Sequence, residues 1–452
     1  MDSTRSEGRP ASGVPDRVAA RACRVDAVPV RTVVDLFERP RLVWADADGT
    51  TVAGGTAAVI TASGADRFEA VSRRAQAVFG KLDAPDPLPD GARPRFYGGF
   101  AFTDDHGASG SDSDAVRLWR GFPAAKFVLP AVQASVTGDG AWLTTAATGP
   151  DAGARAAARL DRWRGRLDTL PTFARSSPPG VRSREYDPSR PAWRRQVAAA
   201  IDRICEGQLR KVVLAQSLSI ELGKPVAVAD VLARLGDVYP SCYRFLFEPA
   251  TGGSFFGATP EQLVTVRGKA VETEALAGSI GRGETRAEDE WLATELRDSE
   301  KNTHEHELVV EAIQRQLAAL TDDTETGEQG VRQLANVQHL RTPIRATLPH
   351  EEHVLSLVEA LHPTPAVGGL PPERALETIR ETEAFERGWY AAPVGWFDAD
   401  GDGTFAVAIR SAVTRGTQAR LFAGAGIVRD SDPDVEWDEL QLKYRPVLDE
   451  LQ

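Results

Sequence analysis

Lys211 opens an otherwise apolar run, KVVLAQSLSI (211–220), that reads as a strand. A lysine at the head of a buried strand either snorkels towards water or has its pKa lowered for base chemistry. Glu261 stands in FFGATPEQL, just past an X-Pro bend. Taken singly, each reads as structural. Glu305 heads a helix whose apolar residues are Val309, Ile313, Leu317 and Leu320. Counting by fours places 305, 309, 313 and 317 on one face, where a charge needs a partner or a cation. If the face instead ends at 308, Glu305 caps into solvent. Glu436, Glu439 and Lys443 lie along one face of a C-terminal helix. Such a triplet is either a solvated, salt-bridged face or part of a site. Two carboxylates from separate helices, with few histidines and cysteines about, suit a hard cation such as Mg²⁺. That ion takes one or two protein carboxylates and completes its shell with water and anionic substrate.

Three other patterns lack a residue their chemistry needs. Asp398-Ala-Asp400-Gly-Asp402-Gly403 starts like a calcium-binding EF-hand loop, but Ile409 stands where the bidentate Glu belongs. It reads as a polar hairpin turn. Gly424-Ala-Gly426 follows a strand, yet the third glycine of a dinucleotide fingerprint would fall at Arg429. His304 and His306, two apart on a helix, point to nearly opposite faces and cannot share one ion.

The elements that must carry these residues follow from hydropathy patterning. Strand-like runs Arg41–Trp44, Thr56–Ile60, Phe96–Phe102 and Ala125–Val136 are separated by turn signals such as Asp48-Gly49 and Asp139-Gly140. A helix is expected at about 151–168, then a Ser/Pro linker, then a helix carrying Trp193, Val197, Ile201 and Ile204. CYRFLF (242–247), SFFGAT (254–259), QLVTV (262–266) and AVETEAL (270–276) read as a meander of strands. Helices follow at about 285–320 and 371–383, a hairpin at 395–413, a strand at 420–428 and a C-terminal helix at about 435–450. Many antiparallel strands with interspersed helices predict an α+β fold and exclude a doubly wound parallel one. The expected organisation is a disordered tail over residues 1–25, a strand-rich region over 26–175 and a catalytic region over 190–452.

With 452 residues the chain can bury a large core unaided. Cys23, Cys205 and Cys242 are too few for a disulfide scaffold or a cysteine zinc site. A net charge of −12 argues against nucleic acid or an anionic membrane surface as partner. No apolar run nears the roughly 20 residues that span a bilayer, and residues 1–20 lack the apolar region of a secretory signal. The expected address is the cytoplasm.

Nine ordered segments resemble the chorismate-utilising enzymes: isochorismate synthase, salicylate synthase, anthranilate synthase component I and aminodeoxychorismate synthase. They are KVVLAQ (211–216), FFGATPE (255–261), LAGSIGRG (276–283), EKNTHEHELV (300–309), LHPTPAVGG (361–369), RGWYAAPVGW (387–396), AIRSA (408–412), FAGAGIV (422–428) and EWDELQLK (436–443). Weaker likeness reaches back to about residue 32. The resemblance implies one α+β unit of two large antiparallel sheets facing each other, with helices outside and the active site between.

Within that family the chain is most similar to isochorismate synthase, an isomerase. The resemblance implies chorismate as substrate, Lys211 as the base that activates water for attack at C2, and Glu261 as the acid that protonates the departing C4 hydroxyl. Lys211 must then be neutral and Glu261 protonated, opposed shifts that mark an acid/base pair. Glu305 and Glu439 match Mg²⁺ ligands, with Glu436 in the same acidic cluster. Arg410 and Lys443 match groups receiving substrate carboxylates, and Tyr390 a donor to the same end. Gly278, Ser279 and Gly424 match close backbone approaches, and His339 a pocket histidine. Family members that use ammonia have Gln in place of Lys211, and those that expel pyruvate tend to have Thr in place of Ala366. This chain therefore resembles a synthase that stops at isochorismate, the precursor of menaquinone and of catecholate siderophores, rather than a salicylate synthase or an ammonia-using 2-amino-2-deoxyisochorismate synthase. Neither a fused glutaminase nor an oligomer is expected. Gln216 replaces an arginine usual in the first motif, and Asn302 an acidic residue one turn before Glu305. Both departures put substrate specificity in question.

Overall fold

The structure, a computed structural model, describes residues 15–26, 28–107, 118–170 and 174–452. Two sheets, of 13 and 10 strands among the described residues, share one apolar core. Every strand pairing in them is antiparallel except that of Val18–Val25 with Leu82–Asp83. The fold is α+β, as the alternation of short strands and helices predicts.

The two halves of the sequence are interleaved. Arg41–Ala45 pairs with Tyr243–Glu248 in the larger sheet, and Phe96–Phe100 pairs with Pro393–Phe397 in the smaller. The chain crosses repeatedly from one sheet to the other. The expected single run Ala125–Val136 is two strands, Ala125–Leu129 and Val132–Thr137, one in each sheet. Pro130 between them supplies no backbone donor and ends the first ladder. The 242–276 meander likewise divides between Ser254–Thr259 in the larger sheet and Gln262–Arg267 in the smaller, with Pro260 and Glu261 at the crossing.

Three further expectations change. Of the expected tail, residues 1–14 lie outside the described residues, but Val18–Val25 is a strand paired with Gly140–Thr148. Val18 and Ala20 alternate into the core, enough apolar surface to hold an edge strand. The linker after residue 168 includes a strand, Val181–Asp187, on the edge of Lys211–Leu222. The helix expected over 285–320 is two, Arg286–Asp298 and Glu300–Leu317. Ser299 breaks it, with extended backbone and a hydroxyl that accepts from the Asn302 N–H at 3.3 Å.

Lys211–Leu222 has an incomplete outer edge. Gly369–Leu370 pairs only with its first two residues, and Val181–Asp187 only from Ser217 onward. Between them, the Ala215 N–H donates to the Glu383 carboxylate at 2.8 Å. Arg387 donates to the Val213 carbonyl at 2.8 Å and pairs with Glu383. A side-chain ion pair thus stands where a strand is missing.

Candidate active site

A cavity of about 210 Å³ lies where the sheet crossings meet the helices Glu300–Leu317 and Pro433–Leu448. A larger opening, about 1160 Å³, lies near His106 and Trp119. None of the residues singled out from the sequence lines it, so the smaller cavity is the candidate. All thirteen residues singled out from the sequence line it.

Two crossings place the acid and an arginine side by side. Glu261 follows Ser254–Thr259, and Arg410 sits between Gly403–Val407 and Ser411–Arg415. Each binds the other crossing: Val407 N–H donates to the Glu261 carbonyl at 3.0 Å, and Ala258 N–H to the Arg410 carbonyl at 3.2 Å. Glu261 is 5% exposed, and its carboxylate accepts from the Thr364 hydroxyl at 3.5 Å. Burial pushes its carboxyl up to about 7, against the pull of the nearby Arg410 charge. Arg410 is 6% exposed, and no carboxylate lies within 4 Å of it among the described residues. Its φ of 53° and that of Ala391, 57°, are the only positive values for non-glycine residues among those described. Such conformations cost on the order of 1–3 kcal/mol and cluster at functional sites. The two strained turns are bonded together through Ala391 N–H to the Ala408 carbonyl at 3.1 Å. Tyr390, beside Ala391, is thereby aimed into the cavity.

Three lysines meet three carboxylates here. Lys211, 1% exposed, places Nζ 2.9 Å from Glu305 Oε1. Lys443 pairs with Glu439 at 2.6 Å and donates to the Gly424 carbonyl at 2.8 Å. Lys301 pairs with Glu436 at 3.2 Å. Glu305 is therefore on the buried face, and the C-terminal triplet is not a solvated one. Burial opposes ionisation of both carboxyls on that helix. The Lys443 ammonium overrides it at Glu439 and holds that group well below its usual range, while Glu436, beside Glu439, is pushed up.

The glycines make room. A Cβ on Gly426 would stand 2.8 Å from Glu305 Oε1 and 2.9 Å from Lys211 Cε, and one on Gly424 3.1 Å from the Tyr390 hydroxyl. His339 Nδ1 shares a 2.9 Å hydrogen bond with the Ser279 hydroxyl, directly across the ladder. Burial pushes its pKa down to about 3, so the ring is neutral. Gly278, with φ of 72°, gives the strand the bulge that turns Ser279 towards the site.

Sequence reasoning passed over Lys301 and Arg387 as site residues. Lys301 was visible as a cation one turn before Glu305. Arg387 was visible only as a charge in RGWYAAPVGW; it is 4% exposed and reaches the Val213 and Val367 carbonyls beside the cavity.

Residues 17–452 match the family described as chorismate binding enzyme. The chain is 37% identical over 362 residues to isochorismate synthase MenF of Bacillus subtilis, covering 79% of this chain and 74% of that protein. It is 36% identical over 426 residues to the salicylate biosynthesis isochorismate synthase of Pseudomonas aeruginosa, covering 93% and 86%. The fold is similar to the structure of MenF, the menaquinone-specific isochorismate synthase of Escherichia coli, with a TM-score of 0.80, 27% identity and coverage of 98% and 97%. Given this agreement of sequence, fold and cavity, the chain belongs to the chorismate-binding enzyme family.

Proposed function

We propose that the cavity is the active site of an isochorismate synthase, converting chorismate to isochorismate by addition of water at C2 and loss of the C4 hydroxyl. The observation that carries this is the juxtaposition of a buried carboxyl near neutrality, Glu261, with a buried guanidinium, Arg410, that has no carboxylate within 4 Å among the described residues. An unpaired buried cation calls for an anion from outside, and chorismate brings two carboxylates. Arg410 and Lys443 receive them, with Tyr390 donating to the same end. Glu261 holds the proton that the leaving hydroxyl takes. Lys211 Nζ accepts the proton from the attacking water, which requires its release from Glu305. The neutral His339 and Ser279 shape the wall without adding charge.

The acidic set fits a hard divalent cation. Its donors are carboxylate oxygens only, drawn from two helices, and each is paired with a lysine. Glu305, Glu439 and Glu436 do not form a preassembled three-carboxylate cluster among the described residues, so the fit rests on donor chemistry: Mg²⁺ takes one or two protein carboxylates and completes its shell with water and anionic substrate. Glu305 and Glu439 would hold it, with Glu436 beside them. When bound, Mg²⁺ neutralises a substrate carboxylate in a site that is itself acidic.

Product analysis tests the reaction. Purified protein with chorismate and Mg²⁺ is expected to form isochorismate, with pyruvate well below one equivalent. Ala366 offers only a methyl group beside the substrate, leaving the enolpyruvyl tail free of the hydrogen bond that would align it for elimination. Pyruvate released one-for-one with chorismate would make the enzyme a salicylate synthase instead.

Gly426→Ala tests the packing. The added methyl would crowd the ends of both the Lys211 and the Glu305 side chains and displace them from their present positions. We expect kcat/KM to fall roughly 10–100-fold, the scale of a 1 Å misplacement, with an unchanged melting temperature. Near-normal turnover in a folded variant would separate Lys211 from the chemistry.

A further inference from the structure

Behind the crossing that carries Glu261, outside the lining of that cavity, lies a charged cluster in which a buried carboxylate meets two partly exposed arginines. Glu274, on the Ala270–Gly281 strand, has a side chain 2% exposed and pairs with Arg332 at 2.7 Å and with Arg341. Arg332 has further work. It donates to the Pro260 carbonyl at 2.8 Å and to the Ser241 carbonyl at 2.8 Å. One guanidinium therefore ties together the peptide that leads into Glu261, the approach to the Tyr243–Glu248 strand and the strand that bears Gly278 and Ser279. Arg332 lies across the ladder from His339, which lies across from Ser279. An ion pair needed only to fill the interior would be replaceable by apolar side chains. One that also holds a backbone carbonyl next to the acid constrains where that acid points.

We propose that Arg332 and Glu274 are positioning residues for the acid step, Arg332 by clamping the crossing at Pro260 and Glu274 by setting the electrostatic field at Glu261. This rests on Glu261 acting as the acid. The groups facing Glu261 from the elements around it are Arg410, Lys211, Thr364, Tyr390 and Glu274. Burial is the largest influence on its carboxyl; Arg410, Lys211 and Thr364 favour the ionised form, and Glu274 is the carboxylate among them that disfavours it. Removing Glu274's charge therefore moves Glu261 towards easier ionisation. Removing Arg332 leaves Glu274 less compensated and moves it the other way.

The test follows Glu261 itself. In pH-difference infrared spectra its protonated C=O band is assigned by loss in Glu261→Gln, and its titration is then compared in wild type, Glu274→Gln and Arg332→Gln. The pH dependence of kcat/KM for chorismate is read alongside. We expect Glu274→Gln to lower the Glu261 midpoint by about 0.5–1 unit and Arg332→Gln to raise it by a similar amount. Arg332→Gln should also lose about 10-fold or more in kcat with KM within threefold, since a displaced acid spoils the chemical step rather than binding. Arg332→Lys, which keeps the charge but not the three-way clamp, should hold the wild-type midpoint and still lose kcat. If Arg332→Gln does not fold, the near-isosteric Glu274→Gln decides alone. An unmoved midpoint in Glu274→Gln overturns the proposal. A moved midpoint with no isochorismate made by wild type leaves the field effect standing and overturns the proposed reaction instead.

Discussion

Glu261→Gln is expected to lose about 10²–10⁴-fold in kcat, the usual worth of one positioned acid, and at the same time to become more stable at alkaline pH. The loss follows because an amide of the same shape keeps the Thr364 contact but has no proton to give. The gain follows from linkage. The folded-state pKa, about 7, lies above the ordinary 4.5, so the folded protein prefers the neutral carboxyl. That preference is fully present below pH 4.5 and is lost as pH rises through about 7. At pH 8 the folded state carries a buried charge that costs about 3 kcal/mol relative to a neutral side chain, at 1.36 kcal/mol per pKa unit. Melting at pH 8 should therefore occur a few degrees higher in the variant, and melting near pH 4.5 should coincide with wild type. The same carboxyl predicts that wild-type kcat/KM falls as pH rises through about 7, because the acid must be protonated in the free enzyme. A variant that lost activity and stability together at pH 8 would mean that Glu261 is a structural group.

Glu439→Gln is expected to abolish Mg²⁺-dependent turnover while the protein stays folded. Glu439 is half of a part-buried pair with Lys443, and Lys443 also holds the Gly424 carbonyl. The amide can still accept from Lys443, so the helix keeps its place, but the oxygen offered to a cation is neutral. Loss of supporting contacts to a metal ligand already costs about 10–100-fold in affinity, so loss of the ligand's charge should cost at least that. Calorimetric titration with Mg²⁺, in the presence of chorismate, checks binding independently of rate. Wild-type Mg²⁺ affinity in the variant would remove Glu439 from the ligand set.

Much of the site was legible through the nine ordered segments that carry the family resemblance, and a few of its residues also broke the pattern of their own elements. Lys211 in an apolar strand, Glu305 on an apolar helix face and paired glycines at a strand end each violate a local rule, and such violations gather where function needs them. What was not legible depended on pairing between distant segments. Val337–Thr347 contains Pro343, which argues against a central strand. In the structure Pro343 faces Glu274 in the ladder, and its carbonyl takes the Gly327 N–H on the other side. The missing donor thus falls between the short strands Asp323–Thr326 and Gly330–Gln333, where no ladder bond is needed. Arg332 and Glu274 gave no signal either, because an ordinary arginine and glutamate become a clamp only when three strands meet. The Val18–Val25 strand was hidden by its alanines and arginines, whose weak apolar alternation suffices only beside a ready-made edge.

The ion pair that fills the broken edge of Lys211–Leu222 has a consequence for how the chain is made. Glu383 lies 168 residues after the amide it accepts from, and Arg387 lies 174 residues after the carbonyl it donates to. The long ladder partner on the opposite edge, Gln418–Ile427, comes later still. As the chain leaves the ribosome from its N-terminus, the apolar strand bearing Lys211 has only Val181–Asp187 beside its second half, and its opposite edge waits until almost everything downstream has emerged. A chain released before residue 387 would carry this Val- and Leu-rich strand with its Gln418–Ile427 edge bare and its other edge covered only at the ends, the kind of edge that recruits other chains. Premature termination in this protein should yield aggregates rather than a smaller folded fragment.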